Sequence, residues 1–134
     1  MKNPITGTTH KRHDDTVIVC AGNTFGRGAN AMYCGRNPID AATLDRFIGA
    51  TLTVDYDRNI ETTIAQTAGQ PGLQLAEWVW TVRDTIEQSN MRRIFGTRSI
   101  ESGVKLLLSG LSMRETKHAL TVGWSTDELR KCGL

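Results

Sequence analysis

Asn23 and Arg46 are the residues whose type and position best suit phosphate chemistry. Asn23 follows the apolar run Val17–Ala21, and a polar side chain at the carboxyl end of a buried strand is what the nucleotide site of an α/β protein requires. A glycine-rich loop with Gly26, Gly28 and Gly35 comes next. Arg46 lies beyond it in the segment Leu-Asp-Arg-Phe, on a predicted short helix from which it can face a neighbouring subunit.

The first part of the chain has the pattern of short buried strands. Thr16–Ala21 is β-branched and continuously apolar, which predicts a strand of a parallel sheet. Asp40 is suited to cap a short helix over Ala41–Phe47. Gly49 then leads into a second predicted strand, Ala50–Val54.

The rest of the chain has helical patterns. Gly69, Pro71 and Gly72 separate the first predicted helix from the longest one, in which apolar residues recur at helical spacing: Leu75, Val79, Val82 and Ile86. Two Ser-x-x-Glu capping boxes open the last two. The predicted helices are Arg58–Thr67 after the N-cap Asp57, Leu73–Met91, Arg98–Ser109, Ser112–Leu120 and Ser125–Cys132.

These elements predict two parts. Residues 1–56 form a partial α/β core of about two strands, and residues 57–134 form an all-α helical bundle. The chain is therefore expected to be mainly helical.

Composition and charge argue against several classes of protein. The 134 residues carry a formal charge of +2 and an estimated pI of 8.6, too mild to indicate nucleic-acid binding. No run of 18 apolar residues occurs, so we expect no membrane span, and the polar first 15 residues are not a signal peptide. The cysteines Cys20, Cys34 and Cys132 lack paired spacing, which favours a reducing cytoplasm.

His10 and His13 have a spacing that could hold a metal ion. No third ligand is evident near them, and a zinc site needs at least three protein ligands. We therefore interpret this segment as a solvated polar arm and predict no metal site.

The motifs together resemble those of a known family. The runs A-G-N-T-F-G, Y-C-G-R-N-P-I-D-A-A-T-L-D-R-F, V-D-Y-D and I-E resemble the AAA+ ATPases, and the MoxR-type branch with its cobaltochelatase small-subunit-like proteins of phages and prophages in particular. The resemblance covers roughly residues 13–109. It implies an α/β nucleotide-binding core, a helical lid and assembly into hexameric rings.

The resemblance implies a role for each of three residues. Asn23 matches the sensor 1 position, which orients the attacking water near the γ-phosphate. Arg46 matches the region that supplies an arginine finger to the next subunit, a contribution of about 10³–10⁵ in rate. Arg98 matches the sensor 2 arginine, which reaches the phosphates from the lid. Arg27 and Arg36 are alternatives for the finger.

The chain departs from the family where ATP and Mg²⁺ are held. It has no G-x-x-x-x-G-K-[ST] phosphate loop, and its one Walker-B-like segment, Leu52–Asp55, follows Asn23, where the family has its last core strand. The sequence thus resembles the C-terminal half of an AAA+ module. Neither ATP nor Mg²⁺ is expected to bind tightly to this chain alone, and hydrolysis is not expected without a partner.

Two other interpretations stay open. The chain could be a non-catalytic adaptor that binds a protein partner through its helices. It could also be a small DNA-binding protein with a helix-turn-helix over residues 112–130, in which Arg114, Lys117 and Arg130 contact phosphates. The open edges of the two predicted strands also favour self-association or pairing with neighbouring subunits.

Overall fold

The computed structural model describes residues 5–9, 11, 13–24, 26–30, 33, 35, 37–47, 49 and 51–134. Four residues used in the sequence predictions, His10, Cys34, Arg36 and Ala50, lie outside the described residues.

The described residues form a mainly helical protein. Six helices follow one another: α1 (Ala41–Asp45), α2 (Arg58–Gln66), α3 (Gly69–Gln88), α4 (Thr97–Leu108), α5 (Met113–Leu120) and α6 (Thr126–Lys131). None of these helices combines the length and apolar composition needed to cross a membrane. The chain divides into two compact units, Met1–Ala41 and Ala42–Leu134. The predicted boundary between residues 56 and 57 falls inside the second unit and stays a prediction.

The predicted helix starts are observed with their caps. The Asp57 carboxylate accepts from the backbone N–H groups of Asn59 and Ile60, at 2.8 and 3.3 Å. Ser112 and Ser125 each form a complete capping box with the glutamate three residues later. These side chains satisfy backbone donors that have no partner within the helix, so the cap sequences fix where α2, α5 and α6 begin.

The bounds of α3 differ from the prediction of Leu73–Met91. The helix begins at Gly69, because Pro71 lies in the first turn, where its missing N–H would have no partner in the helix anyway. It ends at Gln88, and Asn90 then adopts a left-handed conformation with a φ of 48°. Gly72 lies where α2 and α3 approach each other, and a Cβ there would come within 2.0 Å of the Ala65 carbonyl oxygen.

The core lies in the second unit, between α2, α3 and α4. The α3 residues predicted to share one face, Leu75, Val79, Val82 and Ile86, are all buried. Ile100 and Val104 of α4 are buried too, whereas Leu108 is 63% exposed. The helical periodicity is therefore confirmed for α3 and for the first two turns of α4.

The two predicted strands are not seen in the described part of the chain. Residues 16–21 and 51–54 have no regular secondary structure, and the side chains of Val17, Val19, Leu52 and Val54 are 82–91% exposed. A strand is stable only when a neighbour completes its hydrogen bonds and covers one face. The described residues supply neither, so the apolar pattern here does not produce a buried sheet, and the α/β part of the predicted fold is not shown.

We expect Gly72→Ala to destabilise the second unit. Alanine favours a helix over glycine by about 1 kcal/mol, but its methyl group would push apart the backbones of α2 and α3, at a cost of about 1–3 kcal/mol. Urea unfolding followed by tryptophan fluorescence measures the difference, since all three tryptophans lie in this unit. The exposed neighbour Gln70→Ala is the control, and a Gly72→Ala protein as stable as that control would contradict the close approach.

Candidate functional site

The three residues predicted to act on phosphate are all exposed. Asn23 lies in a bend of the unit Met1–Ala41. Arg46 and Arg98 belong to the unit Ala42–Leu134: Arg46 follows the last residue of α1, and Arg98 is the second residue of α4. The alternative finger Arg27 is exposed as well.

The start of α4, where Arg98 lies, is bonded to α2 through Thr97, the first residue of α4. Gly96, the N-cap, has no side chain to bond the first turn. Instead, the Thr97 hydroxyl donates a hydrogen bond of 2.8 Å to Oε1 of Glu61, on α2. The backbone next to Arg98 is therefore fixed to a residue 36 positions earlier in the chain.

Glu61 is a fully buried carboxylate that accepts four hydrogen bonds. Arg83 of α3 binds it with both terminal nitrogens, Nη2 to Oε1 at 2.7 Å and Nη1 to Oε2 at 3.3 Å. Trp80, also of α3, donates from its indole nitrogen to Oε2 at 2.6 Å, and Thr97 completes the set. One buried side chain thus joins α2, α3 and α4.

Arg83 makes further contacts besides those with Glu61. Its Nε donates to the Phe95 carbonyl oxygen at 3.0 Å, just before α4 begins. Its guanidinium group lies 3.7 Å from the centre of the Tyr56 ring, a cation–π contact. The guanidinium of Arg58 covers the Trp80 ring in the same way, at 5.0 Å. These contacts cover most of the ion pair, since the Arg83 side chain is 17% exposed and that of Glu61 is fully buried, and a pair in such surroundings interacts more strongly than one in water.

The electrostatics keep Glu61 ionised. Burial acts to raise the pKa of Glu61, but hydrogen bonds from Arg83, Thr97 and Trp80, with the charge of Arg83, outweigh it and hold the pKa below its ordinary value. Because donors already occupy both oxygens, Glu61 is not placed to transfer a proton or to bind a metal. Its geometry suits it to position α4.

A second ion pair joins the segment between α3 and α4 to α6. Arg93 binds Glu128 of α6 through Nε and Nη2, at 2.8 and 2.9 Å, and donates to the Gly123 carbonyl oxygen at 2.8 Å. Glu128 also completes the cap of α6 by accepting from the Ser125 N–H. The hydrogen bonds from Arg93 and Ser125 lower the pKa of Glu128 to about 2.

Sequence reasoning missed the Glu61 cluster, although Glu61 was part of the quoted motif. A signal was present, because Glu61 falls on the face of α2 that carries Ile64 and Ala65, which pack against the core or belong to it. A charged residue on a buried face requires a partner. The sequence does not say that the partners are 19 to 36 residues away.

Among the described residues, no group of three or more histidine, cysteine, aspartate or glutamate side chains could hold a metal ion. His13 interacts instead with Asp15, with 3.5 Å between Nδ1 and the carboxylate, and both side chains are exposed.

We expect Glu61→Gln to destabilise the second unit strongly. The substitution removes the charge opposite Arg83 and points an N–H₂ group at hydrogen-bond donors, and leaving one partner of a buried pair uncompensated costs about 3–5 kcal/mol. Urea unfolding of the full chain measures the loss. The matched control is Glu77→Gln, at an exposed position of α3. Equal stability of the two variants would contradict the role given to Glu61.

We expect the stability of the second unit to fall in acid because of Glu128. Its pKa is about 2 in the folded protein and 4.5 without partners, so the folded state holds fewer protons between these values. The stabilisation is complete above about pH 4.5 and is lost as the pH falls towards 2. Unfolding free energies measured across this range should fall less steeply for Glu128→Gln. An unchanged slope would show that Glu128 contributes nothing to it.

A comparison with protein-family models finds none that matches this chain, and neither the curated proteins nor the solved structures compared with it show a match. The chain is therefore assigned to no family by similarity, and its function has to be inferred from its own residues.

Proposed function

We propose that this chain is the C-terminal portion of an AAA+ ATPase of the MoxR-type, cobaltochelatase small-subunit-like branch. The intact module would couple ATP hydrolysis to the remodelling of a protein partner or to metal insertion. In this proposal the helices from α2 onwards are the lid, and the preceding residues belong to the nucleotide-binding core.

The observation that carries the proposal is the placement of Arg98. Its guanidinium is exposed, while the backbone beside it is fixed through Thr97 to the buried Glu61. Glu101, one turn further along α4, accepts a hydrogen bond of 2.7 Å from Lys105; that hydrogen bond and the charges of Lys105 and Arg98 all act to lower its pKa. A cation on a fixed backbone suits the sensor 2 role, because its geometry is set before phosphate arrives.

Arg46 and Asn23 take the remaining roles. The exposed position of Arg46 directly after α1 supports a guanidinium that reaches a phosphate held by a neighbouring subunit. The exposed position of Asn23, on the first unit, is compatible with a side chain that orients water at a nucleotide brought by another segment.

We expect neither ATP nor Mg²⁺ to bind tightly to this chain alone, because the sequence has no G-x-x-x-x-G-K-[ST] phosphate loop. An upstream segment or a partner chain has to hold the nucleotide. The free thiols Cys20 and Cys132 support a cytoplasmic location.

A second candidate function, a non-catalytic interaction protein, is favoured by the exposed apolar side chains. Val17, Val19, Leu52 and Val54 are all more than four-fifths exposed. Side chains of this kind invite pairing with another copy or another protein. The two functions differ in whether the partner brings a phosphate loop.

The coding sequence upstream of this chain distinguishes the ATPase function from the non-catalytic function. If it encodes G-x-x-x-x-G-K-[ST] and an acidic strand, we expect the two parts expressed together to hydrolyse ATP. Arg46→Ala should then lower turnover about 10³-fold or more, and Arg98→Ala should weaken it as well. Arg92→Ala, at an exposed arginine outside the proposed site, is the control.

The chain by itself should show no turnover. Arg46-dependent hydrolysis by the purified 134-residue protein would overturn this expectation. Turnover of the assembled parts that is indifferent to both Arg46→Ala and Arg98→Ala would overturn the assignment of the site.

A further inference from the structure

A surface groove with an apolar floor lies between α5 and the last residues of the chain. Its cavity has a volume of about 600 Å³. Met113, Leu129 and Leu134 form the floor, and Leu134 is 45% exposed. Arg114, Lys117 and His118 form the rim on the α5 side. We call this surface the basic groove.

The three rim residues form one stripe. They are spaced i, i+3 and i+4 along α5, so their side chains lie on the same side of the helix. Lys117 is already oriented, because its ammonium group lies 5.0 Å from the centre of the Trp78 ring. A partner would therefore meet two positive charges on this side of the groove, that of Arg114 and that of the oriented Lys117.

The charge of this stripe is not compensated within the described residues. None of the three rim side chains forms an ion pair there, whereas the acids of α5 and α6 are all engaged. Glu115 bonds Ser112 in the cap of α5, and Glu128 bonds Arg93. Asp127 bonds both Arg130 and Lys131, at 2.7 and 2.9 Å. The described side chains that line the groove therefore include the charged groups of Arg114 and Lys117 and no acidic side chain.

We infer that the basic groove binds an acidic amphipathic helix of a partner protein. The apolar floor would take two hydrophobic anchors of that helix, and the rim would pair with glutamate or aspartate beside them. Because α5 has eight residues and is about 12 Å long, the contact would extend over about two turns of the partner. This inference does not depend on the proposed ATPase function.

The shape of the groove distinguishes this partner from two others that a basic surface can attract. A nucleic-acid site needs cations along a polar track, but here the centre is apolar, and Arg130, which would be needed for such a track, is paired with Asp127. A membrane is met by a convex amphipathic helix face, and this surface is concave and lies between two elements.

The experiment uses the full chain and two designed peptides of about 16 residues, just above the length of about 12–15 residues below which an isolated helix is marginal. Both carry leucines at positions i, i+3 and i+7; one has glutamates beside them and the other has lysines. Fluorescence anisotropy of the labelled peptides measures binding. The double variant Arg114→Glu/Lys117→Glu reverses the rim, and Arg92→Glu/Lys105→Glu reverses the same number of charges elsewhere on the exposed surface.

We expect the glutamate peptide to bind and the lysine peptide to bind at least tenfold more weakly. The rim variant should lose about tenfold in affinity for the glutamate peptide, which corresponds to two exposed ion pairs, and should gain affinity for the lysine peptide. The control variant should bind the glutamate peptide as the unchanged chain does. Arg114, Arg92 and Lys105 are exposed and Lys117 is half-buried, so circular dichroism is used to verify that both variants keep their helices.

The inference would be wrong if both peptides bound equally well or if neither bound. It would also be wrong if the chain bound phosphatidylserine vesicles or duplex DNA but not the glutamate peptide. Dimerisation of the chain that the rim variant abolishes would contradict it as well, because the occupant of the groove would then be a second copy.

Discussion

The helical unit depends on keeping one carboxylate, that of Glu61, ionised away from water. Burying such a charge is unfavourable unless every oxygen finds a donor. Glu61 finds four, two from Arg83 and one each from Trp80 and Thr97. These donors come from α3 and α4, so the requirement fixes the mutual placement of three helices more narrowly than apolar packing alone would. A core of leucine and valine tolerates small shifts; a bidentate ion pair does not.

The sequence predicts the parts of the fold that local rules determine. Asp57, Ser112 and Ser125 start their helices as expected, because a cap and its donor lie within three residues of each other. The α3 periodicity also identified its buried face. Local rules failed at Gly69 to Gly72. These residues have the composition of a helix break, but they form the first turn of α3, where a helix can accommodate Pro71.

The candidate site was less predictable, for two physical reasons. Asn23, Arg46 and Arg98 were chosen by motif, and motifs do not encode the distances between them. Glu61, Arg83 and Thr97 act through contacts between residues far apart in sequence, which periodicity does not reveal. The predicted strands show a related difficulty, since β-branched runs such as Thr16–Ala21 indicate a strand only where neighbouring strands exist.

The spacing of the Glu61 contacts along the chain also bears on folding order. Only two residues separate α2 from α3, so Trp80 and Arg83 can reach Glu61 by closing a short helical hairpin, whose entropic cost is low. Thr97 reaches the same carboxylate only when α4 docks, 36 residues away. The hairpin of α2 and α3 is therefore the smallest part of the chain that brings donors to both oxygens of the Glu61 carboxylate. It also presents that carboxylate as an acceptor for Thr97, the first residue of α4.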